Sequence, residues 1–342
     1  MKRKEPLMST PSPRIQFEVE RQAGRAPLLI VENGHDPVRW AEENREALRA
    51  AVDEHGAVLV RGLGLRDPAE VAATFQQLVP GGLMPDREAF AARQPYLDGV
   101  YSSLTWPANQ PMCMHHELSY ALEFPGLMLF ACLQAPSVGG VTGVADARAV
   151  LDAIPPDIVR RFESQGWLLA RSYNEDIGAT YEEAFGVSDR AGVESYCRAH
   201  EIEFEWQPDG ELRTRQRRPA VVRHPATGQR CWFNQVAFLS EWTIAPEVRE
   251  YLVDVYGPDG LPFNTRFGNG EPIGEDVVAL LNEVYEAHTL RTPWETGDLM
   301  LVDNVSMAHS REAYEGPREI LVGMAEPRNV FDLDNHIQDG AR

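Results

Sequence analysis

Two histidines and a glutamate have a spacing that could do chemistry. In the stretch Met112-Cys113-Met114-His115-His116-Glu117-Leu118-Ser119-Tyr120, an extended chain turns alternate side chains to opposite faces. His115 and Glu117 then point one way and His116 the other. An imidazole and a carboxylate on one face are two of the three ligands of a facial triad, which leaves open positions on Fe(II). His-x-Glu alone is a weak signal, and the spacing leaves open which of the adjacent histidines ligates. The i, i+2 geometry favours His115.

His309 strengthens the reading. It follows the apolar run Leu299-Met300-Leu301-Val302-Asp303-Asn304, a buried strand entered through the turn Trp294-Glu295-Thr296-Gly297-Asp298. Nine residues beyond His309, after Glu315-Gly316-Pro317, Arg318 opens another strand, Ile320 to Met324. A hairpin of that kind can hold His309 and Arg318 near one cavity. The pairing matters because 2-oxoglutarate, chelating iron at one end, extends a carboxylate at the other, and a bidentate guanidinium is its natural partner. Arg311 lies closer to His309 and is a rival anchor. His35, His55, His200, His224, His288 and His336 have no such context and are read as surface or satisfied core residues.

Elements must exist to hold these groups. Asp36 to Glu54 repeats apolar residues at helical spacing, with Asp36 as cap and Pro37 in the first turn. Ala57 to Val60 is a buried strand running out at Arg61-Gly62, and Asp67 to Leu78 a second helix. From Leu127 onward, strand-length apolar runs alternate with Gly/Pro turns: LMLFACL, PSVGG, VTGVAD, and late in the chain PWETGD before LMLVDN and EGP before REILVGM. Between these groups Ala147 to Phe162 and Arg190 to His200 have helical character. The pattern gives one α+β domain over residues 14–334. Its β core is split by a mixed insertion at about 155–225, so strands from both ends must meet in one barrel or sandwich. Residues 1–13, rich in Pro, Ser and Lys, are expected to fray, and 335–342 to form a tail.

Composition narrows the partners. With 52 acidic and 32 basic side chains the net charge is −20, the wrong sign for a nucleic-acid backbone or an acidic membrane. At 43% hydrophobic residues the chain can bury a large core. Its most apolar window, Leu127 to Leu133, is too short to span a bilayer. No apolar stretch follows the basic N-terminus, so export is not indicated. Cys113, Cys132, Cys197 and Cys231 are widely spaced with no CxxC pair, as reduced, mostly buried thiols of a cytoplasmic protein are.

The segments HGAVLVRGLGL (from His55), VYSSLTWPANQ (from Val100), HHELSYALEFPGLMLF (from His115), GGVTGVADARAV (from Gly139), HPATGQRCWFNQ (from His224) and PWETGDLMLVDNVSMAHSREAYEGPREILVGMA (from Pro293) together resemble the taurine dioxygenase-like superfamily of Fe(II)/2-oxoglutarate oxygenases. They are most similar to its syringomycin-biosynthesis hydroxylase branch. The resemblance runs from about residue 30 to 327. It implies a double-stranded β-helix (jelly-roll, cupin-like) core with flanking helices. It also implies that His115, Glu117 and His309 bind Fe(II), and that Thr142 joins Arg318 at the distal carboxylate of 2-oxoglutarate, with O2 as the other co-substrate. Glu117 occupies the position that halogenating relatives leave small, so hydroxylation is expected and halogenation is not. Two departures stand out. His116 replaces the branch's usual Asn, and Leu104-Thr105-Trp106-Pro107 replaces the more usual Thr-Glu-Tyr-Pro, which alters a pocket wall.

The implied activity is hydroxylation of an unactivated C–H bond in an amino acid or amino-acid-derived substrate, free or carrier-protein-bound, in bacterial natural-product biosynthesis. Desaturation and cyclisation are alternative outcomes of the same chemistry. A non-catalytic or zinc-binding cupin-like protein would have no need of Thr142 and Arg318. On the substrate side, Arg213, Arg215 and Arg217 alternate in RTRQRR and share one face. Such a run is most often a solvated face, and otherwise a reader of a carboxylate or of a phosphopantetheine-bearing carrier. Asn234, beside the core aromatics Trp232 and Phe233, could hydrogen-bond substrate, as could Arg215 and Arg311. The polar stretch Arg171 to Ala184 is a lid candidate. Oligomeric state is left open.

Overall fold

Asp36 and Asp67 each accept a backbone N–H, from Arg39 and Glu70, and each precedes a proline. The helices Pro37–His55 and Pro68–Leu78 therefore begin where their caps predict. The computed structural model describes residues 18–333 apart from 33, 175 and 209, so the expectations for 1–13, for His336 and for 335–342 fall outside the described residues.

Trp40, Leu48 and Val52 of the first helix and Val71 and Phe75 of the second pack on one face of a six-stranded sheet. Its order is Leu28–Ile30, Ala57–Arg61, Leu299–Asp303, Glu123–Gln134, Glu319–Asn329, Val100–Ser102. Strands from the two ends of the chain do meet, since Leu299 to Val302 pairs antiparallel with Val60 to Ala57. Along Glu123–Gln134, Leu127, Leu129 and Ala131 face the helices, while Met128, Phe130 and Cys132 enter the core on the opposite side. An unbroken apolar run is what a strand buried on both faces requires.

The second core lies between this sheet and a four-stranded one ordered Thr289–Leu290, Val144–Asp146, Met307–Arg311, Met112–His115. Met114, Val144, Met307 and Ala308 meet Phe130, Val302 and Val322 there. His309 and Arg318 are not on one hairpin. The strand of His309 pairs with Met112–His115 and Val144–Asp146, whereas Glu319–Asn329 lies between Glu123–Gln134 and Val100–Ser102 in the other sheet. Ile320 to Ala325 is buried throughout, and only an interior place in a sheet covered on both sides buries both faces of such a run. Tyr314–Glu315 makes the crossing, pairing with Val138–Gly139 on the way.

The helical stretch from Ala147 is also two elements, Ala147–Ala153 and Pro156–Gln165. Pro155 has no N–H to donate and forces Ile154 out of helical geometry (ψ 137°). The insertion builds a third sheet from Trp167–Tyr173, Leu212–Arg218 and Glu203–Trp206, completed by Phe263–Phe267 from later in the chain.

Candidate active site

His115 ends its strand directly opposite His309 in the antiparallel register, and the ring centroids are 4.3 Å apart. Beyond His115 the chain leaves the sheet through a tight turn. Leu118 sits at φ 52°, and Ala121 donates to the Leu118 carbonyl at 2.8 Å. The turn swings Glu117 back toward the pair, its Oε2 3.7 Å from His309 Nε2. One donor atom from each of His115, Glu117 and His309 lies within 4.8 Å of the others, and all three side chains are buried. His116 points away: its Nδ1 meets the Asn304 carbonyl at 2.7 Å and its ring packs on Phe233.

The donor set fits a divalent metal. His115 Nδ1 is 2.8 Å from the Cys113 carbonyl, which fixes the proton on that nitrogen and leaves the Nε2 lone pair free. Burial and the neighbouring His309 press His115 down to about 3, so it stays neutral, the state a ligand needs. Burial alone would raise Glu117. Arg93 beside it, together with the two histidines, outweighs that and holds the carboxyl well below the usual carboxylate range. Phe238 stacks on His115 at 4.7 Å and Phe130 meets His309 edge-on, shielding the cluster.

The same cavity is lined at another part of its wall by Thr142, Arg311 and Arg318. Trp294 Nε1 donates to Thr142 Oγ1 at 3.2 Å, which leaves the hydroxyl proton free to be given to a ligand. Arg318 Nε donates to the Gly140 carbonyl at 3.0 Å. Gly140 has φ 67°, and a Cβ there would lie 2.7 Å from Pro136 and 3.1 Å from the Arg318 side chain, so only glycine lets the arginine lie in this cradle. Burial, then the neighbouring Arg311, pushes the Arg318 guanidinium down to about 10, an environment in which an anion beside it is favoured. Arg311 donates to the carbonyls of Trp106, Pro107 and Gln110 and so straps that segment against its strand. Leu104 forms part of the cavity wall.

Two substrate-side expectations are corrected. Asn234 is buried and turned onto the backbone, donating to the Ala220 carbonyl and accepting from the Val236 N–H. It does not line the cavity, because the amide closes a local turn. Arg215 is exposed on the added sheet, opposite Glu203. The predicted alternation holds, with Thr214, Gln216 and Arg218 buried on the other face, but that face is not part of the cavity wall. Arg171 is buried in a strand, donating to the carbonyls of Glu88 and Ala89, so the lid candidate begins as packed structure. Arg93, Asn304, Phe238 and Trp294 are the site residues that the sequence left unassigned. Asn304 and Trp294 stand inside motifs quoted for other reasons.

A family model described as taurine catabolism dioxygenase TauD, TfdA family matches residues 24–325. Among curated proteins, the dapdiamide synthesis protein DdaC of Enterobacter agglomerans is 32% identical over 81% of this chain and 84% of its own. A clavaminate synthase-like protein of Arabidopsis thaliana is 27% identical over 82% and 84%. Among solved structures, PvcB of Pseudomonas aeruginosa superposes with a TM-score of 0.54 at 15% identity, covering 94% of this chain and 95% of that one, which shows a shared fold. Among the described residues, no helix is long and apolar enough to cross a membrane.

Proposed function

Since the chain belongs to the TauD, TfdA family of dioxygenases and is an Fe(II)- and 2-oxoglutarate-dependent dioxygenase, we propose that it hydroxylates an unactivated C–H bond of an amino acid or amino-acid-derived molecule in natural-product biosynthesis. In this reading His115, Glu117 and His309 hold Fe(II), while Thr142 and Arg318 take the distal carboxylate of 2-oxoglutarate. The two packed sheets are the jelly-roll that carries them. Iron supplies activation of O2, with 2-oxoglutarate converted to succinate and CO2. The protein's own work is positional. His115 and His309 present their imidazoles from paired strands, Glu117 stays ionised, and the aromatic and aliphatic walls exclude water.

One observation carries the reading: a buried His-Glu-His cluster shares its cavity with an under-partnered Arg318 and a Thr142 hydroxyl. A metal-storage or sensing protein has no use for that second set. The biosynthetic setting rests on relatives, DdaC being named for dapdiamide synthesis and PvcB being described as an Fe, alpha-ketoglutarate dependent oxygenase from an isonitrile synthetic pathway. Four free cysteines, three of them buried, fit a reducing cytoplasm.

The test is anaerobic addition of Fe(II) and 2-oxoglutarate to the purified protein. A metal-to-ligand charge-transfer band should appear, and should be lost in His309→Ala. Absence of the band at saturating ligand would sink the reading.

A further inference from the structure

Arg93 faces Glu117 in the cavity, and the proposed reaction gives it no role toward iron, 2-oxoglutarate or substrate. Glu88 fastens the segment that bears it. The Glu88 carboxylate accepts from Tyr196 at 2.9 Å and Gln216 at 2.6 Å, and its carbonyl accepts from Arg171 and Tyr120, each at 2.8 Å. From this anchored segment the Arg93 side chain, only 4% exposed, reaches the cavity. One terminal nitrogen donates to Glu117 Oε2 at 3.0 Å and the other reaches the Ser102 carbonyl at 3.3 Å. Nε is buried with no hydrogen-bond partner, the Asp86 carboxylate lying 3.6 Å away. A guanidinium has five N–H groups in a planar fork, and this one is under-used.

Charge sharpens the point. Arg93, Arg311 and Arg318 all line the cavity. Three carbonyls occupy the terminal nitrogens of Arg311 without cancelling its charge, and its Nε, like that of Arg93, is buried with no hydrogen-bond partner; Arg93 differs in lying against the ligand carboxylate of Glu117. Arg318 is taken by 2-oxoglutarate in the reading above. Glu117, once it ligates iron, shares its charge with the metal, and Arg93 is left with Asp86 outside hydrogen-bond contact. With the two charges of iron, five positive charges then face four negative ones, from Glu117, Asp86 and the two carboxylates of 2-oxoglutarate. A surplus cation in a site of low exposure is costly, and a carboxylate brought in by the substrate removes the surplus.

We propose that Arg93 is a specificity-determining residue that receives a carboxylate of the substrate, and that the substrate is a free acid. A carrier thioester of the same amino acid has lost that charge and would give the fork only a neutral carbonyl. The proposal rests on the oxygenase reading above.

The experiment uses the full-length protein saturated with Mn(II) and N-oxalylglycine, an inert stand-in for 2-oxoglutarate. It is titrated calorimetrically with the proteinogenic L-amino acids and with their primary carboxamides. At least one acid should bind about tenfold or more tightly than its amide, the scale of one charge-assisted contact. Arg93→Gln should erase that preference while N-oxalylglycine still binds, and Arg93→Lys, which keeps the charge and loses the fork, should restore part of it. No binding by any acid, equal binding of acid and amide, or a preference that survives Arg93→Gln would each overturn the proposal and leave the oxygenase reading intact. Failure of the unaltered protein to bind Mn(II) and N-oxalylglycine at all would overturn both.

Discussion

Asn304 holds Glu117 from both sides of its backbone, accepting the Glu117 N–H at 2.8 Å and donating to the Glu117 carbonyl at 2.9 Å, across 187 positions of sequence. The same amide nitrogen donates to the Pro125 carbonyl at 2.8 Å, and the Asn304 carbonyl meets His116. The turn that aims Glu117 at the histidines is therefore shaped by the end of the strand Leu299–Asp303. Asn304→Ala removes three buried hydrogen bonds and strands their partners. It should cost about 2–4 kcal/mol in urea unfolding and weaken Mn(II) binding about 10- to 100-fold, as loss of a group that orients a metal ligand does. Unchanged Mn(II) affinity in a destabilised variant would limit Asn304 to scaffolding.

Arg318 is a charge set into a site where only a dianion makes it comfortable. Its guanidinium is pushed down to about 10 by burial and by Arg311, so at neutral pH it is charged but under-partnered. Arg318→Met should leave the melting temperature without 2-oxoglutarate unchanged or raised. It should also abolish the rise that 2-oxoglutarate produces in the Mn(II)-loaded protein and raise the KM for 2-oxoglutarate by about tenfold or more. Arg318→Lys should fall between, since an ammonium lacks the planar fork. A large loss of melting temperature in Arg318→Met without ligand would refute this account.

What was legible in the chain was what short-range geometry decides. The alternation argument chooses His115 and Glu117 over His116, although the strand ends at His115 and a turn, not an extended chain, brings Glu117 back to it, and Asp36-Pro37 and Asp67-Pro68 mark two helix starts. Alternation also put Arg213, Arg215 and Arg217 on one face, but could not say that this face belongs to an added sheet away from the cavity. Asn234 was misread for the same reason, because an amide among aromatics has the same sequence signature whether it faces a ligand or its own backbone. Arg93 gave no signal at all. Its segment has no periodicity, and its aim depends on Glu88 finding Tyr196 and Gln216 more than a hundred residues later. The helix break at Pro155-Pro156 is legible in the sequence, since two successive prolines cannot continue a helix. The crossing between sheets from His309 to Arg318 was not, because hairpin and crossover share the same turn residues.

His115 and His116 offer a direct check on the register. His116 is buried, pressed down to about 4 by that burial, and engaged with the Asn304 carbonyl. His116→Gln should keep Mn(II) affinity within about threefold and lose about 1–2 kcal/mol of stability, the worth of one buried hydrogen bond and some packing. His115→Gln should bind Mn(II) at least about 100-fold more weakly. If the two variants exchanged phenotypes, the turn at Leu118 would have to be drawn the other way.

Asp303 links the site to pH. His224 Nε2 lies 2.8 Å from Asp303 Oδ2, and the other carboxylate oxygen accepts from the N–H groups of Val305 and Ser306. Burial would raise Asp303, but His224 and those two N–H groups outweigh it and leave the folded carboxyl below its ordinary value of 3.8. An acid lowered on folding binds its proton more readily in the unfolded chain. The stability it contributes is therefore fully present above 3.8 and is lost as pH falls through the lower folded value. Asp303→Asn should be less stable than the unaltered protein at pH 7 by about 1–3 kcal/mol, the range for a hydrogen bond to a charged group. The gap should shrink in urea titrations as pH is taken below 4. Because Asn304 is the next residue, the slackened turn should also weaken Mn(II) binding at pH 7. A gap that stayed constant from pH 7 to pH 3 would show that the carboxylate charge contributes nothing, and that only its hydrogen-bonded shape matters.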